Sequence, residues 1–201
     1  MLVSILMLAM LTTQTSDESN KVKTLPEIAI ENCRHVNTKS SEKRKEALEV
    51  AKILYDVEQD NQVPQEMRGM ILAAACLESG YSITARGDRK FSKNKKKPMA
   101  IGVLQMWPWY EKAYNVDRSD PRSSATGWIK HIKRQVPRVK KMCRYRTLKR
   151  VWTAAWVTGI RYKKPGGRCK ERQKHYRFFK KIRKIYESQI KMSSTKSGKT
   201  E

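Results

Sequence analysis

Met67-Arg68-Gly69-Met70-Ile71-Leu72-Ala73-Ala74-Ala75-Cys76-Leu77-Glu78-Ser79-Gly80-Tyr81 is the stretch on which the fold of this chain turns. Met67, Met70, Ile71, Ala74 and Leu77 recur at helical spacing, while Gly69, Ala73 and Ala75 keep the other faces small. A helix that is apolar nearly all round belongs at the centre of a core. Pro64, Gln65 and Glu66 are residues that open a helix, and Gly80 is one that ends it. The run finishes on a lone carboxylate, Glu78. Desolvation and the negative end of a helix dipole both disfavour an ionised carboxyl there. The sequence therefore predicts a Glu78 held protonated near neutral pH, the starting state of a general acid.

Helical patterning continues on both sides, so the fold class is mainly α. Upstream, Ser41 is read as the cap of a helix with Glu42 and Glu46 early in it and Leu48, Ala51, Tyr55 and Glu58 along one face, ending at Asn61-Gln62. Residues 12–41, with Pro26 and a short apolar patch at Ile28 to Ile30, read as a linker or loosely packed arm. Downstream, residues 82–98 form a basic loop with a short hairpin. Asp120-Pro121 starts a helix running to about Cys143, bent at Pro137. Leu148 to Ile160 reads as a short Trp-rich helix, and Pro165-Gly166-Gly167 as a turn. The last helix spans about Arg168 to Ile190, with Phe178, Phe179, Ile182, Ile185 and Tyr186 inward. From Ser193 the tail is polar and expected to be disordered.

The 201 residues suit one domain. The formal charge is +25, and it is unevenly spread: residues 1–60 hold eight Lys/Arg against ten Asp/Glu, so the excess lies beyond them. The basic part calls for a polyanionic partner, and nucleic acid, anionic membrane and bacterial cell wall all qualify. Met1 to Leu11 is apolar, has the length of a signal-peptide core, and is followed by small residues, although it has no Lys or Arg in front. Export is the expectation, with a short tethering helix or an irregular start as the alternatives. None of Cys33, Cys76, Cys143 and Cys169 has the spacing of a zinc ligand, and no metal or cofactor is expected. An exported chain could form two disulfides in any of three pairings. Cys143 and Cys169 flank one apolar segment and are a candidate pair. Cys76, inside the apolar helix, reads equally as a buried thiol.

Three segments in order resemble one family. They are Glu78-Ser79-Gly80-Tyr81, Ala100-Ile101-Gly102-Val103-Leu104-Gln105-Met106-Trp107-Pro108, and Ala155-Trp156-Val157-Thr158-Gly159. Together they resemble the soluble lytic transglycosylase and goose-type lysozyme superfamily over roughly residues 45–185. The resemblance implies an α+β lysozyme-like domain at 42–192, helical with a small hairpin beside an active-site cleft. Residues 1–41 would then be a signal or anchor segment and linker, and 193–201 a tail. The third segment departs from the family pattern: Trp156 replaces a tyrosine and Val157 an asparagine, and Val157 cannot hydrogen-bond a sugar.

The implied activity is cleavage of the β-1,4 bond between N-acetylmuramic acid and N-acetylglucosamine in peptidoglycan. Glu78 would be the one catalytic acid and base. Ser79, Tyr81, Gly102, Gln105 and Trp156 would be substrate-binding. Gln105 offers a donor and an acceptor to an acetamido or hydroxyl group. Gly102 would let the backbone approach a ligand, and Tyr81 and Trp156 would give flat faces to sugar rings. Trp107 and Trp109 read as core, and Tyr162, which could line the cleft, is not counted in the site. Glycosidases ordinarily need two carboxylates. Near this cleft the sequence offers only Asp88, Glu111, Asp117 and Asp120, with Asp88 the one candidate for orienting a water and a solubilising role favoured for it. That scarcity suits a one-glutamate mechanism. His35, His131 and His175 read as surface or structural.

The implied partners are peptidoglycan strands and anionic envelope polymers, the oligomeric state a monomer, and the location the periplasm, the cell envelope or the exterior, including a virion. Two other readings stand beside this one: a catalytically impaired lysozyme-like wall-binding or cationic protein, which Val157 favours, and a basic nucleic-acid-binding protein. Aromatics interleaved with Lys/Arg between Arg161 and Lys191 resemble a nucleic-acid surface, but their helical spacing places them inward.

Overall fold

The computed structural model describes residues 22–36, 40–91, 97–143, 147–156 and 173–197. In chain order the helices are α1 (Leu25–Asn32), α2 (Ser41–Asp60), α3 (Met70–Ser79), α4 (Trp109–Tyr114), α5 (Pro121–Cys143), α6 (Leu148–Trp156) and α7 (Gln173–Ser197). A two-stranded antiparallel sheet, β1 (Arg86–Gly87) and β2 (Ala100–Ile101), lies between α3 and α4. The chain is thus mainly α with one small hairpin. Among the described residues no helix is long and apolar enough to cross a membrane.

The axis of the molecule is α3. Every residue from Met70 to Cys76 is buried, as its all-round apolar pattern requires. Around it pack α1, α2 and α7, while α5 lies against α2 and α6, and α4 against α5. The helix is shorter than its sequence pattern suggests. Residues 65–67 form a separate 3-10 turn, and the chain breaks at Gly69, whose φ is +92°. A Cβ at Gly69 would stand 2.7 Å from Leu25 Cδ2, so the glycine serves both the left-handed turn and the close approach of α1.

A glycine at the N-cap leaves α3 without a capping side chain of its own. Glu58, fully buried on α2, supplies the acceptors instead. One carboxyl oxygen accepts from Gly69 N–H at 2.5 Å and the other from Ile71 N–H at 2.8 Å. Burial pushes the Glu58 carboxyl up to about 8 against the pull of those two donors. Its folded pKa therefore lies above its unfolded one, so between about 4.5 and 8 the folded state holds a proton that the unfolded chain has lost. Stability from this group falls as pH rises through that window, by up to about 1.4 kcal/mol per pH unit. Denaturant titrations at several pH values should show that slope, and Glu58→Gln should flatten it.

Residues 25–33 of the N-terminal arm are a structural part of the core, which corrects the reading of that stretch as a linker. Thr24 and Glu27 form a capping box, Pro26 sits in the first turn, and Leu25, Ile28, Ala29 and Ile30 are buried. The local signal is Thr-x-x-Glu with proline, and it was masked by the polar residues around it. A disulfide joins Cys33, just after α1, to Cys76 in α3. The buried-thiol reading of Cys76 is thereby corrected. The candidate pair Cys143–Cys169 lies outside the described residues.

Of the other elements, α2, α5 and α7 follow the patterning, whereas α4 was not read from the sequence. Ser40, one residue before the expected cap, accepts from Lys43 N–H at the start of α2. Asp120 accepts from Ser123 N–H at the start of α5, and Pro137 lies inside that helix. Phe179 and Ile182 of α7 are fully buried, with Tyr176, Phe178, Ile185 and Tyr186 partly buried against the same core. That helix continues to Ser197, so the expected tail from Ser193 is helical over its first residues. Residues 1–21, 157–172 and 198–201 lie outside the described residues, and with them the apolar N-terminus, Val157, Thr158, Gly159, Tyr162 and the Pro165 turn.

Candidate active site

The C-terminal end of α3 is closed by Gly80, at φ +61°, whose N–H reaches back to Cys76 O. This stop leaves Glu78 on the last turn, half-buried with 29 % of its side chain exposed. The neighbouring Ser79 faces the hairpin: its hydroxyl donates to Val103 O at 2.7 Å. That bond seats the end of α3 against the turn at residues 102–105. Ser79 is accordingly a tie between helix and hairpin.

The turn is built to stand still. Ile101 and Met106 exchange backbone hydrogen bonds, Gly102 N–H donates to Ala85 O, and Gln105 N–H donates to Gly102 O. Arg118 is buried behind it and donates through Nη1 to Met99 O at 3.0 Å and Met106 O at 2.9 Å, with its Nε 2.8 Å from Glu111. Gly102 takes φ +76°, and a Cβ there would lie 2.0 Å from Arg118 O. The glycine is required by this internal contact, which corrects its assignment as a point of ligand approach. Gln105 also has a positive φ, and its Nε2 donates to Gly102 O at 2.9 Å while its Oε1 lies over Gly87. It remains part-exposed beside the site with one donor committed to its own turn.

Tyr81 is a core residue. It is 2 % exposed and its hydroxyl donates to Leu72 O at 2.9 Å, so it offers no face to a sugar. Trp156 ends α6, and its side chain lies outside the described residues. The accessible aromatics are others. Trp107, part-exposed, packs against the exposed Phe91 with ring centroids 5.6 Å apart. Trp109 is also exposed and stacks on Tyr110. The expectation that Trp107 and Trp109 are core is therefore reversed: the residues filling the core beneath are Tyr110, Trp128 and Trp152.

The four other acids named from the sequence each have a structural partner. Asp88 accepts from Trp107 Nε1 at 2.9 Å, fixing the indole on the hairpin. Glu111 pairs with Arg118, and Asp120 caps α5. Asp117 accepts from the Ser119 hydroxyl and backbone, which hold its carboxyl below the ordinary range. Glu78 differs in kind, because a titratable ring lies against it. His175 Nε2, on the first turn of α7, lies 3.0 Å from Glu78 Oε1. Read from the sequence as surface or structural, His175 stands 97 residues from Glu78 in sequence and beside it in space. No spacing rule could have found it. His131 fits its expected structural role. Its Nδ1 meets Tyr114 Oη at 2.9 Å, and burial holds its pKa down at about 4.

Among the described residues no three His, Cys, Asp or Glu side chains gather as a metal site needs. No protein-family model, curated protein or solved structure matches the chain.

Proposed function

We propose that this chain cleaves the glycan strand of peptidoglycan, as a lytic transglycosylase or lysozyme-type glycosidase, with Glu78 as its one acid and base. The observation that carries the reading is the placement of Glu78: a half-exposed carboxyl on the last turn of the most buried helix, with the Gly102–Gln105 turn fastened alongside by Ser79. A general acid needs such a fixed and partly desolvated seat. Glu78 gives its proton to the glycosidic oxygen as the bond to C1 breaks. The resulting carboxylate takes a proton from the muramyl 6-hydroxyl as that oxygen closes on C1, yielding an anhydro end. In a hydrolase, water takes the hydroxyl's place. The engagement of Asp88, Glu111, Asp117 and Asp120 elsewhere favours this one-acid chemistry over a paired-carboxylate one.

The Trp107–Phe91 pair sits on the same hairpin as Gln105 and would carry a sugar ring on its flat apolar face. Trp107→Ala should raise the apparent KM on purified peptidoglycan about fivefold to tenfold, equivalent to about 1–1.4 kcal/mol, and leave kcat within about twofold. An unchanged KM would remove Trp107 from the site.

The charge suits a wall-bound enzyme at the cell envelope. On α7, Lys174, Arg177, Lys181 and Lys184 recur at helical spacing on the exposed face. Of the aromatics that would stack on nucleic-acid bases, Phe179 is buried in the core and Tyr176 and Phe178 pack partly buried against it. Anionic envelope polymers are the partners this face would meet, through a contact that weakens with salt.

A further inference from the structure

We infer that His175 is the positioning residue of the Glu78 site, holding the carboxyl through its Nε2–H and stabilising it as it loses its proton; the inference rests on the glycan-cleaving role of Glu78. The geometry joins two elements that the chain keeps far apart. Glu78 ends α3 and His175 lies in the first turn of α7, with the Nε2–Oε1 distance at 3.0 Å. The histidine side chain is only 12 % exposed while the carboxyl is 29 % exposed. The imidazole is therefore the more buried of the two groups and the carboxyl the more accessible. A ring so placed can orient the carboxyl without being the group that reaches a substrate.

The chemistry gives this contact a direction. In the proposed reaction Glu78 starts as a neutral acid, and a hydrogen bond to it is then an ordinary one. As the proton passes to the glycosidic oxygen, the same hydrogen bond becomes charge-assisted and strengthens. No proton leaves His175, so Glu78 gives one proton and recovers one, and the site ends as it began. An interaction stronger in the transition state than in the ground state acts on kcat and not on KM. Losing a hydrogen bond to a developing charge should lower kcat about 10–100-fold.

The experiment compares wild type, His175→Ala and His175→Gln on purified peptidoglycan, together with nitrogen-15 spectra of the His175 ring in the wild-type protein. Glutamine keeps an N–H donor at about the same reach without the ring. The expected results are a kcat lowered about 10–100-fold in His175→Ala with KM within about twofold, recovery of part of that loss in His175→Gln, and a proton on Nε2. An unchanged kcat in His175→Ala overturns the inference, as does a loss confined to KM or a neutral ring protonated on Nδ1. If His175→Ala does not fold, His175→Gln and the ring tautomer decide. Active wild type with an unaffected His175→Ala would remove the positioning role alone. Wild type that releases nothing from peptidoglycan would remove the glycan reading and the inference with it.

Discussion

Replacing Glu78 by Gln is expected to lower peptidoglycan clearing by about a thousandfold or more while leaving the fold intact. General acid and base assistance is worth about 10²–10⁴ in rate, and here one group would serve both halves of the reaction. A thousandfold loss corresponds to about 4 kcal/mol of transition-state stabilisation. The substitution is conservative for the scaffold: a glutamine Oε1 can still accept from His175 Nε2, and the side chain is partly exposed, so little of the contact's energy is at stake. Initial clearing rates and thermal melts of the two proteins would check it. Equal clearing by the variant would show that Glu78 is not the acid, whereas a lost melt would show that it is part of the fold's support.

The second large effect concerns the brace behind the site. The Cys33–Cys76 disulfide closes a loop of 43 residues and ties α1 to the last turns of α3. In the chain-entropy model a loop of that length is worth about 4 kcal/mol, which for a chain of this size lowers Tm by roughly 10 °C. Replacing both cysteines by serine should produce that shift, and a reductant should produce it in the wild type. The consequence reaches function because Cys76 lies two residues before Glu78. Gly80 also packs tightly on the backbone of His35, where a Cβ would stand 2.5 Å from the carbonyl oxygen. Releasing α1 thus loosens the turn on which the acid sits. A Tm shift of less than about 3 °C would mean that the packing of Leu25, Ile28 and Ala29 alone secures α1.

Much of the scaffold was legible in the sequence, because burial imposes a period. The all-round apolar run at 70–76, the inward stripe of Phe179 and Ile182, the stop at Gly80 and the short hairpin after Tyr81 all follow from local pattern. What was not legible came from distance. Gly69 breaks α3 because Glu58, eleven residues earlier, caps it, and because Leu25 needs the space. The eight-residue α1 has a capping box but too few apolar residues to announce itself outside its partners. Ser79 and Gly102 carry the expected residue types for internal reasons, a bond to Val103 and a contact with Arg118. Tyr81 and Trp107 were exchanged between core and surface, since aromatic character alone does not say which side of a hairpin a ring occupies. His175 belongs to the same class, a partner brought in by the packing of α7 on α3.

The central claim is that Glu78 breaks a glycosidic bond in peptidoglycan. Mass spectrometry of the muropeptides released from purified peptidoglycan tests it most directly, with wild type and Glu78→Gln run side by side. The expected result is muropeptides with anhydro ends from the wild type and none from the variant. Reducing ends would keep Glu78 as the acid and make water the nucleophile. No released muropeptides from the wild type, or equal release by both proteins, would contradict the claim.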